Sequence, residues 1–130
     1  MIINIILFII YGLGYCLIDY VFWKHPKELP TAFICDGTMG VVIGLLNEIW
    51  PFMPIYQQVI LGCLSTLCVE FIAGCILNLW LKLDLWDYNR VTKYNILGQI
   101  CPLYIINWIP IVLFVIFIDD VLRNALMLLM

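Results

Sequence analysis

Polar residues are so sparse along this chain that four long apolar runs stand out between them, at residues 2–23, 32–50, 55–81 and 96–118. Each is close to the roughly 20 residues an α-helix needs to cross a hydrocarbon core about 30 Å thick. In lipid, backbone amides and carbonyls must be paired within their own segment, so runs of this length predict helices. The expected fold is all-α: a polytopic integral membrane protein with four transmembrane helices forming one domain over residues 1–130, its cytoplasmic half partly polar. An interfacial connection is expected at 82–95 and an amphipathic tail at 119–130, where Asp119 and Arg123 stand one turn apart as a weak ion pair.

The few polar and small positions inside the runs are not scattered. The first run contains Gly12 and Gly14 and has Asp19 near its end, and the second opens with Asp36, Gly37 and Gly40. In the third, Glu70, Gly74 and Asn78 follow at i, i+4 and i+8, which draws a slowly drifting polar strip along one helix face. The fourth begins with Asn95, Gly98 and Gln99, and its Pro102 and Pro110 each remove a backbone donor and invite a kink. Lipid gives helices no hydrophobic reason to associate, so small residues that let backbones approach mark the contacts. Gly12, Gly14, Gly37, Gly40, Gly74 and Gly98 are the packing positions this predicts.

Composition narrows the possibilities. With 65% hydrophobic residues, 12% charged and a mean hydropathy of +1.09, nearly all of the 130 residues go into crossing the bilayer. That leaves no room for a soluble catalytic or nucleotide-binding domain, and no nucleic-acid partner is expected. Lys24 and Lys27 follow the first run, and Lys82, Arg90 and Lys93 lie between the third and fourth. Basic residues in short loops stay on the cytoplasmic side. Loops 24–30 and 82–95 are therefore expected in the cytoplasm and both termini outside. The first run lacks a basic leader region and a small-residue cleavage site, so it reads as a retained span. All six cysteines fall within the runs at spacings that match neither a zinc site nor a disulfide scaffold, and they read as reduced packing residues.

Under this topology Asp19, Asp36, Asn78, Asp87, Asn95 and Gln99 share the cytoplasmic half, with Glu70 deeper. A charged side chain at mid-membrane depth costs roughly 2.5–3.5 kcal/mol on insertion scales, so Glu70 calls for a partner. No Lys or Arg occupies the centre of any span, which leaves Glu70 protonated, hydrated or bonded to neutral donors. One reading is a cavity open to the cytoplasm that binds a cation, a proton or the polar head of a substrate. The other is interhelical glue, each such bond contributing about 0.6 kcal/mol on average. Trp86, Asp87 and Tyr88 fit a ligand clamp at the inner mouth, or an aromatic belt in which Asp87 caps a turn. An enzyme would have to recruit Cys101 as nucleophile and the sole histidine, His25, as base, a pairing that needs hydrogen-bond reach. Hydrolase, metalloprotease and P-loop signatures are absent, so no catalytic residue, metal or cofactor is assigned.

Three ordered motifs resemble the small bacterial membrane proteins of the ABC-transporter type IV family, the CmpB-type permease-like proteins related to eukaryotic transmembrane protein 229. They are Glu70-Phe71-Ile72-Ala73-Gly74, then Leu85-Trp86-Asp87-Tyr88-Asn89, then Asn95-Ile96-Leu97-Gly98-Gln99-Ile100-Cys101, with Trp108 after them. Tyr11-Gly12-Leu13-Gly14-Tyr15 and Asp19 are similar more loosely, and Cys35-Asp36-Gly37-Thr38-Met39-Gly40 departs by lacking the family's proline-rich segment. The resemblance implies a permease-like or channel-like component of a bacterial plasma membrane. Four short helices enclose little space, so it would act in contact with lipid as a homo-oligomer or in a complex with another membrane subunit. A non-transport accessory role, and more distantly an enzyme acting on lipid, are the alternatives.

Overall fold

A computed structural model of the chain describes residues 1–23 and 29–130. Four helices are long and apolar enough to cross a membrane. Helix α1 spans Ile2–Ile18 and widens into a π-helical turn at Asp19–Trp23. Helix α2 spans Leu29–Ile49, helix α3 spans Ile55–Gly74 and opens into a second π-helical turn at Cys75–Trp80, and helix α4 spans Ile105–Leu129. Lys24, His25 and Lys27, on which part of the topology and the enzyme reading depended, lie outside the described residues.

The fourth helix is displaced from its hydropathy pattern. It starts at Ile105 where the apolar run starts at 96, and it continues to Leu129 where the run ends at 118. Residues 96–100 instead close a tight turn. The Gln99 amide donates to the Ile96 carbonyl at 2.9 Å, the Ile96 amide donates to the Ile100 carbonyl at 2.9 Å, and Leu97 and Gly98 take φ of 52° and 72°. Two successive residues in the left-handed region match a type I′ turn and end any helix. Gly98 is therefore a turn glycine and not a helix-packing one, and Asn95 and Gln99 belong to the connection. Pro102 does not kink a span either. It heads a short 3-10 turn, Pro102–Tyr104, at the entry to α4, where its missing amide costs nothing. Pro110 does sit inside the helix.

The helices run alternately up and down. The Arg123 guanidinium, near the end of α4, donates to the Asn4 side-chain oxygen at 2.8 Å and lies 3.5 Å from Glu48 at the end of α2. Both termini and the connection at 50–54 thus share one end of the bundle. The glycines allow close contact where expected at Gly12, Gly37 and Gly40, which face Phe33, Phe8 and Tyr11. Gly14 is the exception, exposed with nothing within 4 Å of where a side chain would begin. Ile43, Cys63, Val112 and Ile116 form the buried centre between α2, α3 and α4. Leu13, Leu17, Ile34, Ile60, Leu64, Phe114 and Phe117 point outward. An apolar exterior of this extent suits a hydrocarbon surrounding and marks an interaction surface in water.

Candidate functional site

The end of the bundle opposite the termini is covered by the connection between α3 and α4, and the π-helical turn of α3 holds that cover in place. Its Asn78 amide donates to the Trp86 carbonyl at 3.0 Å and to the Gln99 side-chain oxygen at 2.9 Å, while its oxygen accepts from the Leu85 amide at 2.8 Å. The Trp86 indole N–H donates to the Gln99 carbonyl at 3.0 Å. Asp87 is extended and accepts from the Asn89 amide at 2.9 Å, which starts the short turn Tyr88–Arg90 and aims the Tyr88 ring back into the bundle. The Asn95 side-chain oxygen accepts from the Gly98 amide at 2.7 Å, and the Gly98 carbonyl accepts from the Tyr88 amide at 2.8 Å. A side chain at Gly98 would collide with Asp87 and Asn89, so this glycine is required by space as well as by φ.

Beneath the cover lies a cavity of about 190 Å³. Three helices supply its carboxylates: Asp19 from α1, Asp36 from α2 and Glu70 from α3. Trp86 and Tyr88 come from the cover, Tyr15 from α1 and Trp108 from α4. Tyr15 and Trp108 stack with centroids 6.3 Å apart and planes 19° from parallel. Glu70 has the neutral partner its depth called for: the Tyr88 hydroxyl donates to its Oε1 at 2.6 Å. Burial, reinforced by the nearby Glu70 carboxylate, raises the Tyr88 phenol above its ordinary range and keeps it a donor. The three carboxylates surround the space without converging on a point. Among the described residues no three His, Cys, Asp or Glu side chains are grouped to hold a metal ion.

Of the residues expected in the cavity, Asp19, Asp36, Glu70, Trp86 and Tyr88 line it. Asn78, Asp87, Asn95 and Gln99 are not among the lining residues; their bonds build the cover instead. Thr31, Cys35, Met39 and Tyr15 line it without having been expected to, because apolar and weakly polar residues in a membrane helix carry no sign of which face they occupy. Trp108 had a signal, its place among the family-like motifs. Outside the cover Arg90 donates to both Asp84 oxygens at 2.9 Å, which raises the already high guanidinium pKa further, and Lys93 lies 5.2 Å from the centre of the Tyr94 ring. Cys101 is buried and its thiol donates to the Tyr94 carbonyl at 3.1 Å.

The opposite end holds a second polar cluster that corrects the sequence reading. Asp119 and Arg123 are not an exposed pair on an amphipathic tail; they are 1% and 6% exposed, inside the bundle. Asp119 accepts from Arg123 Nε at 3.0 Å and from the Tyr11 hydroxyl at 2.7 Å. Gly44 of α2 provides the room, since any side chain there would overlap the Asp119 carboxylate. Alongside, Asn47 donates to Asp120 at 2.8 Å and accepts from Gln58 at 3.2 Å.

The family model described as "Putative ABC-transporter type IV" matches residues 2–130, nearly the whole chain. No curated protein and no solved structure matches.

Proposed function

Because the chain belongs to this ABC-transporter type IV family, we propose that it acts as a permease-like membrane component whose cavity takes a small cationic solute from the cytoplasm. The observation that carries the reading is the lining of the cavity: three carboxylates from three helices, four aromatic rings, and no lysine or arginine among the described lining residues. Carboxylates supply the counter-charge, and aromatic faces attract cations by roughly 0.5–2 kcal/mol each, the chemistry by which quaternary ammonium groups are held. A volume of about 190 Å³ falls below the roughly 300–1,000 Å³ of drug-sized sites, which restricts the solute to a small head group or compact ion. The basic residues support an orientation. Lys82, Arg90 and Lys93 are exposed around the cover, whereas Arg123, the only basic residue of the other end among the described residues, is held in ion pairs. The positive-inside tendency then puts the cavity at the cytoplasmic face and both termini outside. Four short helices enclose little space, so transport would require a second copy or another membrane subunit.

Tetramethylammonium is a suitable probe. Purified protein in liposomes is expected to bind it saturably, with a change in tryptophan fluorescence from Trp86 and Trp108. Glu70→Gln or Asp36→Asn should abolish that binding while the protein stays folded. Absence of saturable binding by the natural chain, or equal binding of acetate, would overturn the cationic reading.

A further inference from the structure

Two adjoining cavities, the Tyr11–Asp119 hydrogen bond and the ion pairs of Arg123 lie between the two polar ends of this bundle. Below the large cavity lies a second of about 60 Å³, and Tyr15, Asp36, Met39 and Trp108 line both. Tyr11 and Thr66 also line the smaller one. A water molecule needs roughly 10–15 Å³ and two to four polar partners, and this space offers both. On its far side the Tyr11 hydroxyl already donates to Asp119 Oδ1 at 2.7 Å. Asp119 is in turn held by Arg123 Nε at 3.0 Å, and the same nitrogen lies 3.5 Å from Glu48, whose side chain is 48% exposed.

We propose that this arrangement is a proton-transfer path through the bundle, running from Asp36 by way of Tyr11 and Asp119 to Glu48 at the opposite face. Titratable and charged groups meet the path from every packed helix: Tyr11, Tyr15 and Asp36 line its narrow part, Glu70 of α3 lines the larger cavity at its entrance, and Asp119 and Arg123 of α4 with Glu48 of α2 stand at its far end. In the forward direction a proton taken up by Asp36 from the larger cavity passes to a water in the smaller one, and that water gives one of its own to Tyr11 Oη. The original Tyr11 proton passes to Asp119 Oδ1 along the existing hydrogen bond. The proton then crosses from Asp119 to Glu48, the other acceptor at Arg123 Nε, through a bridging water that takes one proton and gives up another, and Glu48 releases it to solvent. Each O–H bond broken is matched by one formed, and rotation of the Tyr11 hydroxyl restores the start. Arg123 stays charged throughout and holds the two acceptors at one donor. The glycines serve the path: a side chain at Gly44 would displace Asp119, and one at Gly40 would displace Tyr11.

The path stands without the cation reading, and the test separates them. Full-length protein is placed in liposomes containing a pH-reporting dye, and a potassium diffusion potential drives protons inward. The natural chain is expected to carry protons well above the rate of protein-free liposomes. Tyr11→Phe keeps the ring that packs on Gly40 but deletes the hydroxyl, and should lower the rate roughly 10²-fold, the scale of losing one positioned proton-transfer group. Tyr11 does not line the larger cavity, so tetramethylammonium binding should persist in that variant. Should Tyr11→Phe fail to fold, Asp36→Asn, which blocks the entrance, decides the matter by the same assay. A natural chain no faster than empty liposomes, or an undiminished rate in a folded Tyr11→Phe or Asp36→Asn variant, would overturn the path and leave cation binding to its own experiment.

Discussion

Substituting Gly74 by alanine tests whether the cover is locked onto α3. A methyl group there would lie 2.6 Å from Gln99 Oε1 and 2.8 Å from Gln99 Cβ. Gln99 cannot step aside cheaply, because its side-chain amide donates to the Leu97 carbonyl, its side-chain oxygen accepts from Asn78, and its carbonyl accepts from the Trp86 indole. Overpacking of this kind costs about 1–3 kcal/mol, and weakening two bonds in a membrane protein adds about 0.6 kcal/mol each. The gain in helix propensity returns at most about 1 kcal/mol, so a net loss of about 1–3 kcal/mol is expected. Gly14→Ala is the control: it meets nothing within 4 Å, so only the propensity gain of about 0.5–1 kcal/mol should remain. Both can be measured by reversible unfolding in mixed micelles followed by far-ultraviolet circular dichroism. A Gly74→Ala, Gln99→Gly double variant removes both offending atoms and should show a favourable coupling in the cycle. Equal stability of Gly74→Ala and the natural chain, or strict additivity in the double variant, would refute the locked cover.

Three further outcomes follow from the same geometry. Arg123→Met leaves Asp119 buried with only the Tyr11 hydroxyl, and should destabilise the bundle by about 3–5 kcal/mol; Arg123→Met with Asp119→Asn should recover part of the loss in the same unfolding assay. Tyr88 has its phenol raised by burial and by Glu70, from an ordinary value of 10.0. Its stabilisation is therefore complete below about pH 10 and lost as pH rises beyond it, and tyrosinate absorbance of the natural chain minus Tyr88→Phe should show ionisation only above that pH. Asp84→Asn breaks an ion pair whose side chains are 61–66% exposed, so the unfolding midpoint should not move measurably, exposed pairs being largely screened.

The deep polar residues illustrate how far a sequence can be read. Glu70 was legible because an isolated carboxylate in a helix of Leu, Val, Ile and Phe costs too much to be accidental, and the absence of intramembrane basic residues left it protonated, hydrated or bonded to neutral donors. Nothing in the spacing identified that partner as Tyr88, which lies 18 positions away in a connection. Asp119 and Arg123 misled for the complementary reason. At i and i+4 on a terminal helix they look like a surface pair, and only Gly44 and Tyr11 of other helices turn their shared face inward.

Hydropathy by itself determined that this is a four-helix membrane protein, since the length of an apolar run and the need to pair every backbone group in lipid are properties of a segment alone. The order of basic residues gives an expected orientation by the same segment-level logic. The start of α4 and the division between cavity-lining and cover-building residues were decided only by the tertiary structure. Each depends on partners far apart in the chain: Asn78 pinning residues 85, 86 and 99, and left-handed turn residues overriding an apolar pattern that continues through them. Apolarity specifies that a segment enters the bilayer; hydrogen bonds between segments specify where it stops and which way its few polar groups face.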